Sequence, residues 1–268
     1  MRVRTLFATL AILTLTAGVV YAASFQVRPG EFDPARTFLV QAEWLSGIGC
    51  PTNAKISTNG STTTGTYTDP ACATGDSSDS RNQGLLLAKT GPTPNVASAF
   101  AELRGVRGMR LTEIGFDIRK PGSAADPRGS HCGAGAPRFN VTAADGITYD
   151  FIGCNSSATP TNPAMSVVGT HWLRLRWGGG TILAFAANGP QAGTIVNISG
   201  IEVSRISILF DEGQDTGPDN FGLAVLDNID VNGTLVGHGP NEKREHGKNK
   251  DKDKDKHDDD NDDQGDDD

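Results

Sequence analysis

Alternation is the most restrictive feature of this sequence. In the run 201–236, Ile206, Ile208 and Phe210 are separated by single polar or edge positions. Further on, Leu223, Val225, Ile229 and Val231 fall on one parity, with Asp227 interrupting them. A period of two sends every second side chain to the same face of an extended strand, so both runs read as half-buried strands. Gly213, Gly217 and Pro218 punctuate the connection between them. The pattern predicts the closing strands of a β-sandwich, joined by a loop carrying Asp211, Glu212, Asp215, Asp219 and Asn220.

The same period recurs along the chain. Phe38, Val40, Ala42 and Trp44 alternate with Leu39, Gln41, Glu43 and Leu45, which predicts a first strand with an apolar inner face. Ile114, Phe116 and Ile118 alternate cleanly, and Gly105, Gly108 and Gly115 argue against a helix over 99–120. Leu173, Leu175 and Trp177 share one parity of a strand, with Trp172, Arg174 and Arg176 on the other. Phe139 and Val141 precede Ala144-Asp145-Gly146, and Tyr149 and Phe151 follow it. A three-residue turn with Gly146 left-handed would pair Val141 with Tyr149 and Phe139 with Phe151, all on one face. Roughly nine or ten strands result, the count of an all-β, two-sheet jelly-roll β-sandwich.

Composition sets the borders. Residues 1–22 have the form of a secretory signal: Arg2 and Arg4, an apolar stretch from Leu6 to Val19, then Val20-Tyr21-Ala22 for cleavage. Residues 23–240 form the sandwich domain. Residues 241–268 carry 13 acids, 7 bases and no apolar side chain, which predicts a disordered tail. The formal charge of the whole chain is -8, so nucleic acid is not an expected partner. The signal implies a secreted, extracellular protein with no membrane insertion of the mature chain. In that setting four cysteines predict disulfides, Cys50 with Cys72 and Cys132 with Cys154 by the simplest connectivity. The long polar stretch 46–82 is then pinned to the body by the first pair.

Chemistry is thinner. A hard cation such as calcium takes about six to eight oxygens, and Asp211, Asp215 and Asp219 with nearby carbonyls would supply several. Asp227 is an acid on an apolar parity, and a buried carboxylate needs a partner or a metal. For a sugar, Trp172 is the candidate stacking ring, with Arg174 and Arg176 on its face as donors; the competing reading covers Trp172 with a long loop. No G-x-S-x-G, H-E-x-x-H or phosphate-loop motif is present.

The segments LDNIDVNG (226–233), AEW (42–44) and LTEIGFDIR (111–119) resemble secreted bacterial jelly-roll modules. These are the galactose-binding-like folds that include many carbohydrate-binding modules. The resemblance implies a structural calcium held between an acid on the first strand and one on the last, here Glu43 and Asp227 or Asp230. It also makes a glycan the leading ligand, for a non-catalytic binding module. The alternatives are a structural or adhesive surface protein and a jelly-roll hydrolase or lyase.

Overall fold

The computed structural model describes residues 24–51, 54–57, 64–67, 72, 74–120, 137–153, 159–161, 172–211 and 221–240. The expected signal (1–22), the tail (241–268) and the second cysteine pair lie outside these residues, as do Asp215 and Asp219. The strands in chain order are β1 (Gln26–Phe32), β2 (Val40–Ser46), β3 (Ala54–Ser57), β4 (Thr64–Tyr67), β5 (Gln83–Thr90), β6 (Ser98–Arg104), β7 (Ile114–Arg119) and β8 (Arg138–Ala143). There follow β9 (Tyr149–Gly153), β10 (Thr159–Thr161), β11 (Trp172–Trp177), β12 (Leu183–Ala186), β13 (Ile195–Asn197), β14 (Val203–Phe210), β15 (Phe221–Val231) and β16 (Thr234–Val236). That is more elements than the alternation resolved, because short edge strands carry too few residues to show a period.

Two antiparallel sheets form a jelly-roll sandwich. The first runs β1-β6-β14-β8-β9-β12-β13 and the second β10-β11-β7-β15-β5-β2, with β16 beside β15 and β3–β4 as a separate hairpin. Between the sheets, alternate side chains interdigitate. Leu103, Ile206, Ile208, Val141, Phe139 and Ile152 come from the first sheet, and Phe116, Ile118, Leu175, Leu226 and Leu87 from the second. Phe116, Phe139 and Trp177 pack ring to ring at 5.2–6.2 Å across the gap.

The two closing strands lie in opposite sheets, so the acidic connection after Phe210 crosses from one layer to the other rather than closing a hydrogen-bonded pair. The single parity expected for the second run is broken by a bulge between Asp227 and Asp230. Asn228 sits there at φ 45, and an extra residue in one strand sends two successive side chains to the same side. Leu226, Ile229 and Val231 therefore face the core, while Asp227 and Asn228 face outward. Asp227 is buried, but on the outer side of the sheet.

The hairpin register is also corrected. Val141 pairs with Asp150, Phe139 with Ile152, and Asn140 with Phe151. Phe139 and Phe151 thus point to opposite faces. The cause is the turn: Asp145 accepts hydrogen bonds from the backbone N–H groups of Ile147 and Thr148 and from the Thr148 hydroxyl. This closes a four-residue loop before Ala143 N–H meets Thr148 C=O. Gly146 does take a left-handed φ of 73. At the first expected strand, Val40, Ala42 and Trp44 pack inward. Phe38 does not: it sits at φ 59 ahead of the strand, 88% exposed, its N–H held by the Asp33 carboxylate.

Candidate functional site

On the outer face of the second sheet, the centre around Trp172, Asp117 and Asp227 is buried. The Cys50–Cys72 disulfide forms as expected and packs on this face. Beneath it Trp172, Val225 and the two half-cystines make a small apolar cluster, with Ile48, Leu86 and Leu223 packed on it. Trp172 is 2% exposed, so it has no free face for a sugar ring, and the covering-loop reading holds. Arg119 lies 5.4 Å from its ring centroid and fills what space remains.

Arg174 and Arg176 are committed as well. Arg174 forms two 2.8 Å bonds to the Asp117 carboxylate, one from Nε and one from Nη2, and a 2.6 Å bond to the Thr74 hydroxyl in the covering segment. Arg176 lies 3.4 Å from Asp117 and 3.0 Å from Asp230. Asn228 donates a further bond to Asp117. Burial works to lower the Arg174 pKa, but the Asp117 bond and charge outweigh it and raise the group. For Arg176 burial prevails and the pKa falls. Asp230 is pushed up to about 7 by burial and by a hydrogen bond shared with Glu113, against the pull of Arg176. These groups make a structural ion network, not an open donor array.

Of the five expected metal ligands, Asp215 and Asp219 lie outside the described residues, and Asp211, Asp227 and Glu43 each have other partners. Asp211 is taken by Arg138 in a two-pronged pair at 2.7 Å on the first sheet; burial opposes, yet that bond holds its pKa down. Asp227 belongs to the second sheet and accepts the backbone N–H groups of Cys50 and Asn228. Burial nevertheless lifts it well above the ordinary carboxylate range. Glu43 sits on β2, with β5 between it and β15, and accepts from Gln41. With strands about 4.8 Å apart, Glu43 and Asp227 are roughly 10 Å apart laterally before their stagger is added. Asp117, Cys50 and Cys72 do approach within 4.8 Å, but disulfide sulfurs offer no thiolate. A small pocket of about 130 Å³ is lined by Asp76, Asp79, Asn82, Asp227 and Asn228. Its carboxylates already accept hydrogen bonds: Asp76 from Gly237 N–H and Ser78, Asp79 from the N–H groups of Arg81 and Gln83. His238 Nδ1 lies 2.7 Å from Asp76. Burial raises Asp76, but these bonds outweigh it and leave it well below the ordinary range.

The first sheet has the opposite character. On its outer face Phe185 pairs across strands with Ile195 on one side and Phe151 on the other. The same row continues through Asn140, Ser207 and Glu102 to Arg28. With about 4.8 Å per strand, it spans roughly 29 Å. Phe185 is 43% and Ile195 64% exposed. Tyr149 stands beside Phe151 edge-on at 5.4 Å, and Arg138 covers the other side of Phe151 at 5.1 Å. Next in the row, Asn140 Oδ1 is buried and accepts no hydrogen bond. Aromatic surface followed by amide, hydroxyl and charged groups is the combination that holds a polyhydroxylated ligand: ring faces for its C–H surfaces, polar groups for its hydroxyls.

None of the row from Phe185 to Arg28 is among the expected site residues, because the three-residue turn puts Phe151 on the same face as Phe139. The signal that would have found it is Asp145 three residues before Thr148, a side chain suited to closing the longer turn. With that turn, Tyr149 and Phe151 fall outward.

No protein-family model matches the chain, and no curated protein matches it. Among solved structures it is similar to a family 11 carbohydrate-binding module from Clostridium thermocellum in complex with a β-1,3-1,4-mixed-linked tetrasaccharide. The identity is 15% and the TM-score 0.32, over 83% of this chain and 95% of that one. It is also similar to the family 11 module of the cellulosomal cellulase Lic26A-Cel5E of Clostridium thermocellum. There the identity is 14% and the TM-score 0.33, over 80% of this chain and 90% of that one.

Proposed function

We propose that this chain is an exported, non-catalytic binding module that takes a glycan on the open outer face of its first sheet. The observation that carries the reading is exposed Phe185, paired across strands with half-buried Phe151, flanked by exposed Tyr149 and continued by Asn140 and Ser207. Exposed rings on a soluble sandwich need a reason, and a row of rings and hydrogen-bonding groups fits sugar better than a purely apolar partner. Export is supported by the disulfide, which persists in oxidising compartments. Calcium stays attached to the run from Asp211 to Asp219 as a proposal.

The test is affinity electrophoresis of the chain against a panel of soluble polysaccharides, with and without chelator, beside Phe151→Ala and Phe185→Ala. Retardation by at least one polysaccharide, lost in both variants with an unchanged melting temperature, supports the reading. Retardation that survives both substitutions contradicts it, and loss of retardation with chelator alone marks a calcium requirement.

A further inference from the structure

The open face does not end in neutral groups. On the side away from the phenylalanines, Tyr149 pairs across strands with Thr142, and Thr142 with Arg205. One register step beyond the Ile206–Leu103 pair, Arg205 stands beside Arg104. Arg104 in turn pairs with Gln26, two residues from Arg28. The turn leaving β6 adds Arg107 and Arg110; its Gly108 N–H donates to Val203 C=O, two residues from Arg205. All five arginines are exposed.

Few acids oppose them. Glu102 pairs with Arg104 at 2.8 Å. Glu202 lies across from Arg110, and Asp145 is occupied by its own turn. Arg28, Arg107, Arg110 and Arg205 form no ion pair among the described residues. Among the described residues, Arg110 reaches a backbone carbonyl and Arg28 reaches Gln26. Neighbouring like charges on adjacent strands are unfavourable, and this surplus of cations stands on a chain whose formal charge is -8. General solubility gives no reason to concentrate unpaired guanidinium groups next to an aromatic row. An anion seated between them does, since guanidinium matches the geometry of a carboxylate with two parallel bonds.

From this juxtaposition we infer that the glycan is an acidic one, a uronate-bearing polysaccharide whose rings pack on Phe185 and Tyr149, backed by Phe151, and whose carboxylates bind Arg205 and its neighbours. Tyr149 and Arg205 are two strands apart, about 10 Å, a span that a few linked sugar residues cover. The inference rests on the open-face reading above and adds the charge class of the ligand.

The test titrates the full chain by calorimetry with polygalacturonate, a neutral mixed-linkage β-glucan and polyglutamate, at low and high salt. Arg205→Gln with R107Q and Phe151→Ala are run in parallel. Polygalacturonate is expected to bind at least about ten-fold tighter than the neutral glucan, since each charged hydrogen bond contributes over 1 kcal/mol. High salt and the double arginine variant each remove about ten-fold of that preference. Phe151→Ala weakens both glycans. Equal affinity for both glycans, or polygalacturonate binding unchanged in the arginine variant, overturns the inference while leaving glycan binding intact. Polyglutamate binding as well as polygalacturonate also overturns it, since charge alone would then suffice. Failure of every glycan to bind removes the open-face reading itself.

Discussion

Asp117 tests the claim that the centre of the second sheet's outer face is a sealed structural layer. Its carboxylate is fully buried and holds Arg174 through two 2.8 Å bonds, Arg176 at 3.4 Å and Asn228 at 2.8 Å. Neutralising it by Asp117→Asn leaves nearly buried Arg174 without its bonded carboxylate, with Thr74 as a neutral partner, while Arg176 keeps Asp230. Breaking a buried pair by removing one partner costs about 3–5 kcal/mol, because the remaining charge stays desolvated and uncompensated. A native domain has roughly 5–15 kcal/mol in total, so the variant should lose about a fifth of its stability or more. For a domain of this size the melting temperature should fall by about 6–20 °C. Urea unfolding followed by tryptophan fluorescence reads both the loss and the exposure of Trp172. Glu102→Gln is the control: its partner Arg104 is largely exposed, and exposed pairs are worth about 1 kcal/mol or less. A loss below about 1 kcal/mol for Asp117→Asn would show that water reaches the network and that the face is open after all.

Two further outcomes follow from the same layer. Asp230 has its folded pKa raised to about 7 by burial and Glu113, so the folded state holds a proton that the unfolded chain gives up near pH 4. Its contribution is therefore greatest in acid and is lost as pH rises from about 4 to 7. Unfolding free energy measured across that window should decline, and Glu113→Gln should flatten the decline; an unchanged slope would refute the shared proton. Replacing Cys50 and Cys72 together by serine opens a loop of sequence separation 22, which the chain-entropy relation puts at about 3 kcal/mol. Trp172 emission should shift to the red as its cover loosens, and an unshifted spectrum would mean the segment stays seated without its bond.

Much of the sandwich was readable from alternation, because inward positions such as Ile114, Phe116 and Ile118 or Leu173, Leu175 and Trp177 follow period two without interruption. The Cys50–Cys72 pairing was readable from compartment and spacing. What escaped depended on one residue altering the period. Asn228, at φ 45, inserts a bulge that moves Asp227 to the outer side, and nothing in LDNIDV marks the extra residue. Asp145 lengthens a turn by one residue, and a one-residue slip exchanges the two faces of a strand, so Phe151 leaves the face it was expected to share with Phe139. Trp172 illustrates a different limit. Its parity was right, but its burial is decided by residues far along the chain, Cys50 and Val225 among them, that no local pattern connects to it. The arginine group likewise becomes a patch only once β6 and β14 pair.

The most direct test of where this protein binds is a backbone NMR titration with a short polygalacturonate oligomer. Amide shifts concentrated on Phe151, Phe185, Asn140 and Ser207, spreading toward Arg205, are the predicted outcome, with Trp172, Arg174 and Arg176 unmoved. Shifts centred on those last three, with β9 and β12 silent, would place the ligand on the buried centre of the second sheet and contradict the account.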